Sequence, residues 1–173
     1  MMHRRMYCAL PGTFATNPEE AGMFYQWNSK VGWTTINPLL NSNGGTKWIY
    51  PWNGNNATLW KKANDPCPAG WRMPTQQEMQ SLVNVSRVWT TINGVEGNLF
   101  SSGSNTLFLP ALGFRTDENG TLNEGIRGKD GFYWSRSSKD ETQAYSLLSS
   151  QVYVTPNNEP GKARGQLCRC VAE

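Results

Sequence analysis

Histidine is nearly missing: the 173 residues contain one, His3. A Ser-His-Asp or Cys-His nucleophile needs a positioned imidazole, and a residue so near the terminus is a poor source of one. The 13 carboxylates are scattered and single out no glycosidase pair. There is no P-loop, since "GKDGFYWSRS" (128 to 137) has glycines without phosphate-cradling spacing. A net charge of +3 with no dense basic block excludes a binder driven to nucleic acid by charge. No run approaches the ~18 apolar residues that span a bilayer, so no membrane insertion is expected. "MMHRRMYCALPG" has two arginines but no apolar core before its proline, so it is not read as a signal peptide. A chain that is cell-surface, secreted or virion-associated would then be released with a virion or a lysed cell, or be part of a longer exported protein.

What is abundant points to a loop-rich body. Eight Trp, six Tyr and six Phe must carry much of the burial, each Trp and Tyr bringing a polar group that needs a partner. Seventeen Gly and ten Pro supply positive φ and fixed φ. The length fits one domain, 1–173, able to remove roughly 70% of its unfolded surface from water.

Along the chain, Asn17, Pro18 and Glu20 read as the start of a short helix running into "AGMFYQWNSK". Residues 31 to 61 lack a period and read as a long ordered loop. "NDPCPAGWRMPT" (64 to 75) is the densest stretch: three prolines stiffen it, Trp71 is placed to pin it, and Thr75 with Glu78 forms a capping box. Met79, Leu82 and Val83 give the helix that follows one apolar face. Beyond the turn signal Asn93-Gly94, short strands are predicted at 106 to 115, 131 to 138, 144 to 150, 151 to 155 and 166 to 172.

Cys168 and Cys170 lie two apart on a predicted strand, which gives parallel side chains with Cα atoms roughly 6.5 Å apart, poor geometry for a mutual bond. A Cys67–Cys170 bridge would tie the helix entry to the terminal strand, leaving Cys8 for Cys168. The spacing lacks the paired knuckles of structural zinc, which favours structural cysteines, bonded or simply buried, over a metal or redox site. "PNNEPGK" (156 to 162) offers Asn and Glu oxygens to calcium, but without a second nearby acid it reads better as a turn. No cofactor is therefore expected, with calcium as the alternative.

Eight blocks in order carry a resemblance: "GTFA" (12 to 15), "GMFYQWN" (22 to 28), "NDPCPAGWRMPT", "LFLPALGFR" (107 to 115), "GTL" (120 to 122), "GFYWSRS" (131 to 137), "AYSLL" (144 to 148) and "RCVAE" (169 to 173). Together they resemble the Fibrobacter succinogenes major paralogous domain, a family common in gut Bacteroidetes. The resemblance implies an α+β, C-type-lectin-like fold: a small twisted antiparallel sheet, two short helices and long ordered loops, with the chain ends paired as strands. It is similar to formylglycine-generating enzymes and to the variable proteins of diversity-generating retroelements. It also implies a surface, fimbrial or phage tail-associated binding module, with ligand residues on the C-terminal strands and loops. Cys8 and Cys168 depart from the family, which is more often apolar there. The enzyme relatives use a C-terminal cysteine pair, yet their surrounding motifs are not recognisable here, so no oxidase activity is carried over.

In the retroelement proteins the last forty or so residues vary on a fixed scaffold. The stretch from Phe132 to Gln166 mixes scaffold-like Tyr133, Trp134, Ala144 and Tyr145 with polar and aromatic residues that suit a paratope-like surface. The expected ligand-binding residues are Phe132, Arg136, Ser146, Leu148, Gln151, Tyr153, Thr155, Asn157, Asn158, Lys162 and Arg164, with Arg136, Lys162 and Arg164 favouring an acidic ligand. Cys67, Cys170, Trp71, Thr75, Glu78 and Trp134 are expected to be structural. The reading is a non-catalytic module that binds a surface glycan or protein of a host or bacterial cell, with oligomerisation through a carrier structure left open. The alternatives are a formylglycine-type oxidase using Cys168 and Cys170, and a structural cap on a fimbria or tail fibre.

Overall fold

In the computed structural model, which describes residues 10–173, the helix start at Thr75 follows the sequence. The Thr75 hydroxyl accepts from the Glu78 N–H at 3.1 Å and the Glu78 carboxylate accepts from the Thr75 N–H at 2.8 Å. The helix, α1, is only Gln76–Gln80. The stiff entry before it closes on Asp65, whose carboxylate accepts from the N–H groups of Cys67 and Met73 at 2.9 and 3.0 Å. The Cys67–Cys170 disulfide then fixes that loop to the end of the chain.

Strands make up the rest of the regular structure. In chain order they are β1 (Phe24–Tyr25), β2 (Gly32–Trp33), β3 (Trp71–Arg72), β4 (Ser86–Ile92), β5 (Val95–Ser102), β6 (Asn105–Pro110), β7 (Asp130–Ser138), β8 (Ala144–Ser150), β9 (Val154–Asn158) and β10 (Val171–Ala172). They form two antiparallel pairs, β1-β2 and β3-β10, and two three-stranded antiparallel sheets, β4-β5-β6 and β7-β8-β9.

The expected C-type-lectin-like α+β fold with two short helices is overturned. Among the described residues the regular helix is α1 alone, plus a three-residue 3-10 turn at Lys62–Asn64. The helix expected after Asn17 is a turn instead. Glu20 accepts from the Thr16 N–H and from the Asn17 amide, and Gly22 takes a φ of 66°, which ends any helical path. Residues 23–29 are then buried on both sides, as a strand between two core clusters is. Phe24 enters a cluster with Trp33, Trp48, Phe100, Leu109, Tyr133, Leu147 and Val154, while Tyr25 enters one with Trp27, Trp60, Met73 and Trp134. Alternation in one two-residue strand thus joins both halves of the core.

Four buried indole N–H groups find carbonyls, whereas that of the buried Trp33 has none among the described residues. Trp27 donates to Ser135, Trp48 to Asp117, Trp60 to Asn64 and Trp134 to Tyr25. The β4–β5 hairpin was not foreseen, although its turn was: Asn93 and Gly94 have φ of 48° and 81°, the signature of a two-residue hairpin loop. Cys8 and the pairing expected for it lie outside the described residues.

Candidate functional site

The sheet β7-β8-β9 packs one face on the first core cluster, and its other face, which buries Trp134 and Ser146 at one end, opens only around Leu148 and Thr155. Tyr133, Leu147 and Val154 occupy the inner face. Phe132, Leu148 and Thr155 lie across from one another in register on the other. Phe132 is buried there because the Phe114 ring packs edge-on at 5.2 Å, and the Arg164 guanidinium sits 4.4 Å over Phe114. Arg164 is itself held by Asp117 at 2.8 Å. A continuous strip runs from Arg164 through Phe114 and Phe132 to the half-exposed Leu148 and Thr155.

The turn between β8 and β9 extends this strip into solvent. Gln151 is exposed, and Val152 and Tyr153 are 82% and 52% accessible. Ser150 clamps the turn: its hydroxyl donates to the Tyr153 carbonyl at 3.0 Å and accepts from the Tyr153 N–H at 3.1 Å. An ordered turn presenting an exposed ring loses little side-chain freedom on contact, a favourable feature of binding surfaces.

The strip is braced from behind. Residues 165–167 run between Tyr25 and β7, with Gly165 bridged to Arg115, Gln166 to Tyr25 and Leu167 to Tyr133. Gly165 has to be glycine because a Cβ would come within 2.9 Å of the Trp48 ring and 3.1 Å of the Arg115 Cβ. Arg115, buried, donates to the carbonyls of Thr34, Ile36 and Gly120. Burial pushes its guanidinium below its ordinary pKa, with the nearby Glu124 charge acting the other way.

The other expected ligand residues are placed differently. Ser146 is fully buried and accepts from the Asn158 amide at 2.8 Å. Asn157 accepts from Gln76 at 2.8 Å, tying β9 to α1. Arg136 is half-buried, its backbone bonded to Pro74 and Trp60. Lys162 is 1% exposed, with its ammonium donating to the carbonyls of Ala57, Asp140 and Glu141. Burial thus removes Ser146 and Lys162 from any contact surface, and Phe132 serves as the floor of the strip. Of the three cations expected to favour an acidic ligand, Lys162 is enclosed and Arg164 is paired with Asp117, which leaves Arg136.

Two of the side chains offered to calcium at 156 to 162 use an oxygen elsewhere, Asn157 accepting from Gln76 and Glu159 pairing with Lys139, while Asn158 is tethered through its amide nitrogen to Ser146. Among the described residues no three His, Cys, Asp or Glu side chains cluster as metal ligands. No helix among them is long and apolar enough to cross a membrane. The oxidase alternative needs Cys168 and Cys170 together, whereas Cys170 is bonded to Cys67.

Sequence reasoning missed Phe114 and Asp117. The signal was the distance between "GFRTDENG" and Arg164: their partnership spans 47 residues and follows no local period. Comparison of the chain with family models, with curated proteins and with solved structures yields no match.

Proposed function

We propose that the chain is a non-catalytic recognition module that binds a surface glycan or a surface protein through the outer face of β7-β8-β9 and the turn at 151 to 153. The observation that carries this reading is the in-register strip of Phe132, Leu148 and Thr155, capped at one end by Arg164 and Phe114 and opening at the other onto Tyr153. Its floor is aromatic, and above it lie a half-buried leucine and threonine and an exposed glutamine and tyrosine. That combination offers apolar contact with adaptable hydrogen bonds at low entropic cost.

The ligand preferred here is uncharged at the strip itself, because Arg164 is paired with Asp117 and Lys162 is enclosed. Labelled protein applied to a glycan array and to panels of bacterial and epithelial cells tests the reading. Binding to at least one surface is expected, with loss in Leu148→Arg and Thr155→Arg. Absence of binding to every surface, or full binding by both variants, would reject it.

A further inference from the structure

The edge of the other three-stranded sheet carries an inference independent of the proposed ligand face. Strand β4 pairs with β5 from Ser86 to Ile92 without a break in register. Its opposite side makes no backbone hydrogen bond among the described residues. Ile92 and Val95 flank a two-residue loop and so form a hydrogen-bonded pair, and the same holds at every second position: Thr90, Val88 and Ser86 bond inward to β5. Arg87, Trp89 and Thr91 therefore turn their N–H and C=O groups outward.

Natural sheets protect such an edge with proline, lysine, a bulge or a very short strand. "SRVWTTI" has none of these: it is seven residues, β-branched and aromatic, with one charge. That charge is directed away, since the Arg87 guanidinium donates to the Val152 carbonyl at 3.3 Å. Val88 is 56% exposed on the strand, on the sheet face opposite to that of Arg87. At the turn, Asn93 donates to Glu19, a contact that leaves the strand itself uncovered.

We propose that β4 is a homodimer edge, pairing antiparallel with β4 of a second copy about a two-fold axis at Trp89. The sequence is self-complementary in that register. Trp89 faces Trp89 of the second copy and Arg87 faces its Thr91, so every outward amide meets an outward carbonyl and no like charges are opposed. Val88 falls opposite Thr90 in a close, non-hydrogen-bonded pair on the face where Val88 is exposed. The two sheets become one continuous sheet, and a two-fold closes the contact instead of propagating it.

Sedimentation equilibrium on the full chain, up to high micromolar concentration, tests this, with circular dichroism as a check on folding. Thr91→Pro removes an outward N–H while keeping the inward ladder, and Val88→Lys places a cation at the symmetric contact. A concentration-dependent dimer is expected for the unaltered chain, with at least a tenfold weaker dimer in both variants and unchanged spectra. A monomer at every concentration would overturn the proposal. A dimer equally strong in every variant that retains the fold would overturn it too. Should Thr91→Pro fail to fold, Val88→Lys decides alone.

Discussion

Lys162 holds its ammonium 4.6 Å from the centre of the Trp27 ring while donating 2.7 Å to the Asp140 carbonyl and 3.2 Å to those of Ala57 and Glu141. One buried cation thus joins three chain segments: the loop at 57, the β7–β8 connection and the segment after β9 that carries Lys162 itself. Burial lowers its affinity for the proton, and the nearby Asp140 and Glu141 charges oppose that.

Replacing Lys162 by methionine keeps the stem's volume but takes the donor from the buried Ala57 carbonyl and from those of Asp140, which keeps the Ser138 hydroxyl, and Glu141. An unpaired buried acceptor is costly, so a loss of about 2 kcal/mol is expected. Urea unfolding monitored by tryptophan fluorescence measures it. An unchanged midpoint would mean that the cage contributes nothing to the fold.

The disulfide closes a sequence separation of 103 residues. In the chain-entropy account a loop of that size is worth about 5 kcal/mol, because cross-linking removes freedom mainly from the unfolded chain. The Cys67→Ser, Cys170→Ser double variant should therefore unfold at markedly lower denaturant. Non-reducing peptide mapping of the unaltered chain should return the Cys67 and Cys170 peptides joined.

Acid should loosen the helix entry. Glu78 accepts two hydrogen bonds from Arg72, at 2.7 and 2.8 Å, and this pair, aided by the Thr75 N–H, holds its carboxyl at about 2 against an ordinary 4.5. A carboxyl whose folded pKa is depressed stabilises the fold fully above 4.5, and that contribution fades as the pH falls towards 2. Glu78→Gln should flatten the stability profile in that window while lowering stability at neutral pH. Melting curves at steps across the window decide, and a parallel profile in the variant would contradict the assignment.

The parts readable from sequence were those written in neighbouring residues. The capping box at Thr75 and Glu78, the strands around Phe132 and Leu147, and the turn at Asn93-Gly94 each follow a spacing of two to four. What failed was decided by distant packing. "NPEEAGMFYQWN" carries helix-start residues, yet Gly22 and burial on both sides impose a strand at Phe24–Tyr25. Strand β4 was hidden because an edge strand shows weak alternation, its burial running mixed from Ser86 to Ile92. Lys162 and Ser146 look like solvated polar residues in sequence, and only the contacts of Ala57, Asp140 and Asn158 reveal them as interior.

In the proposed function, recognition and structural support fall to different residues of the same C-terminal stretch. Binding and melting temperature measured side by side on two groups of single alanine variants test it most directly. The outward group is Leu148, Gln151, Tyr153 and Thr155; the inward group is Trp134, Ser146 and Lys162. The outward variants should lose surface binding and melt like the unaltered chain, whereas the inward ones should melt earlier. Outward variants that bind undiminished, or that unfold as early as the inward ones, would contradict it.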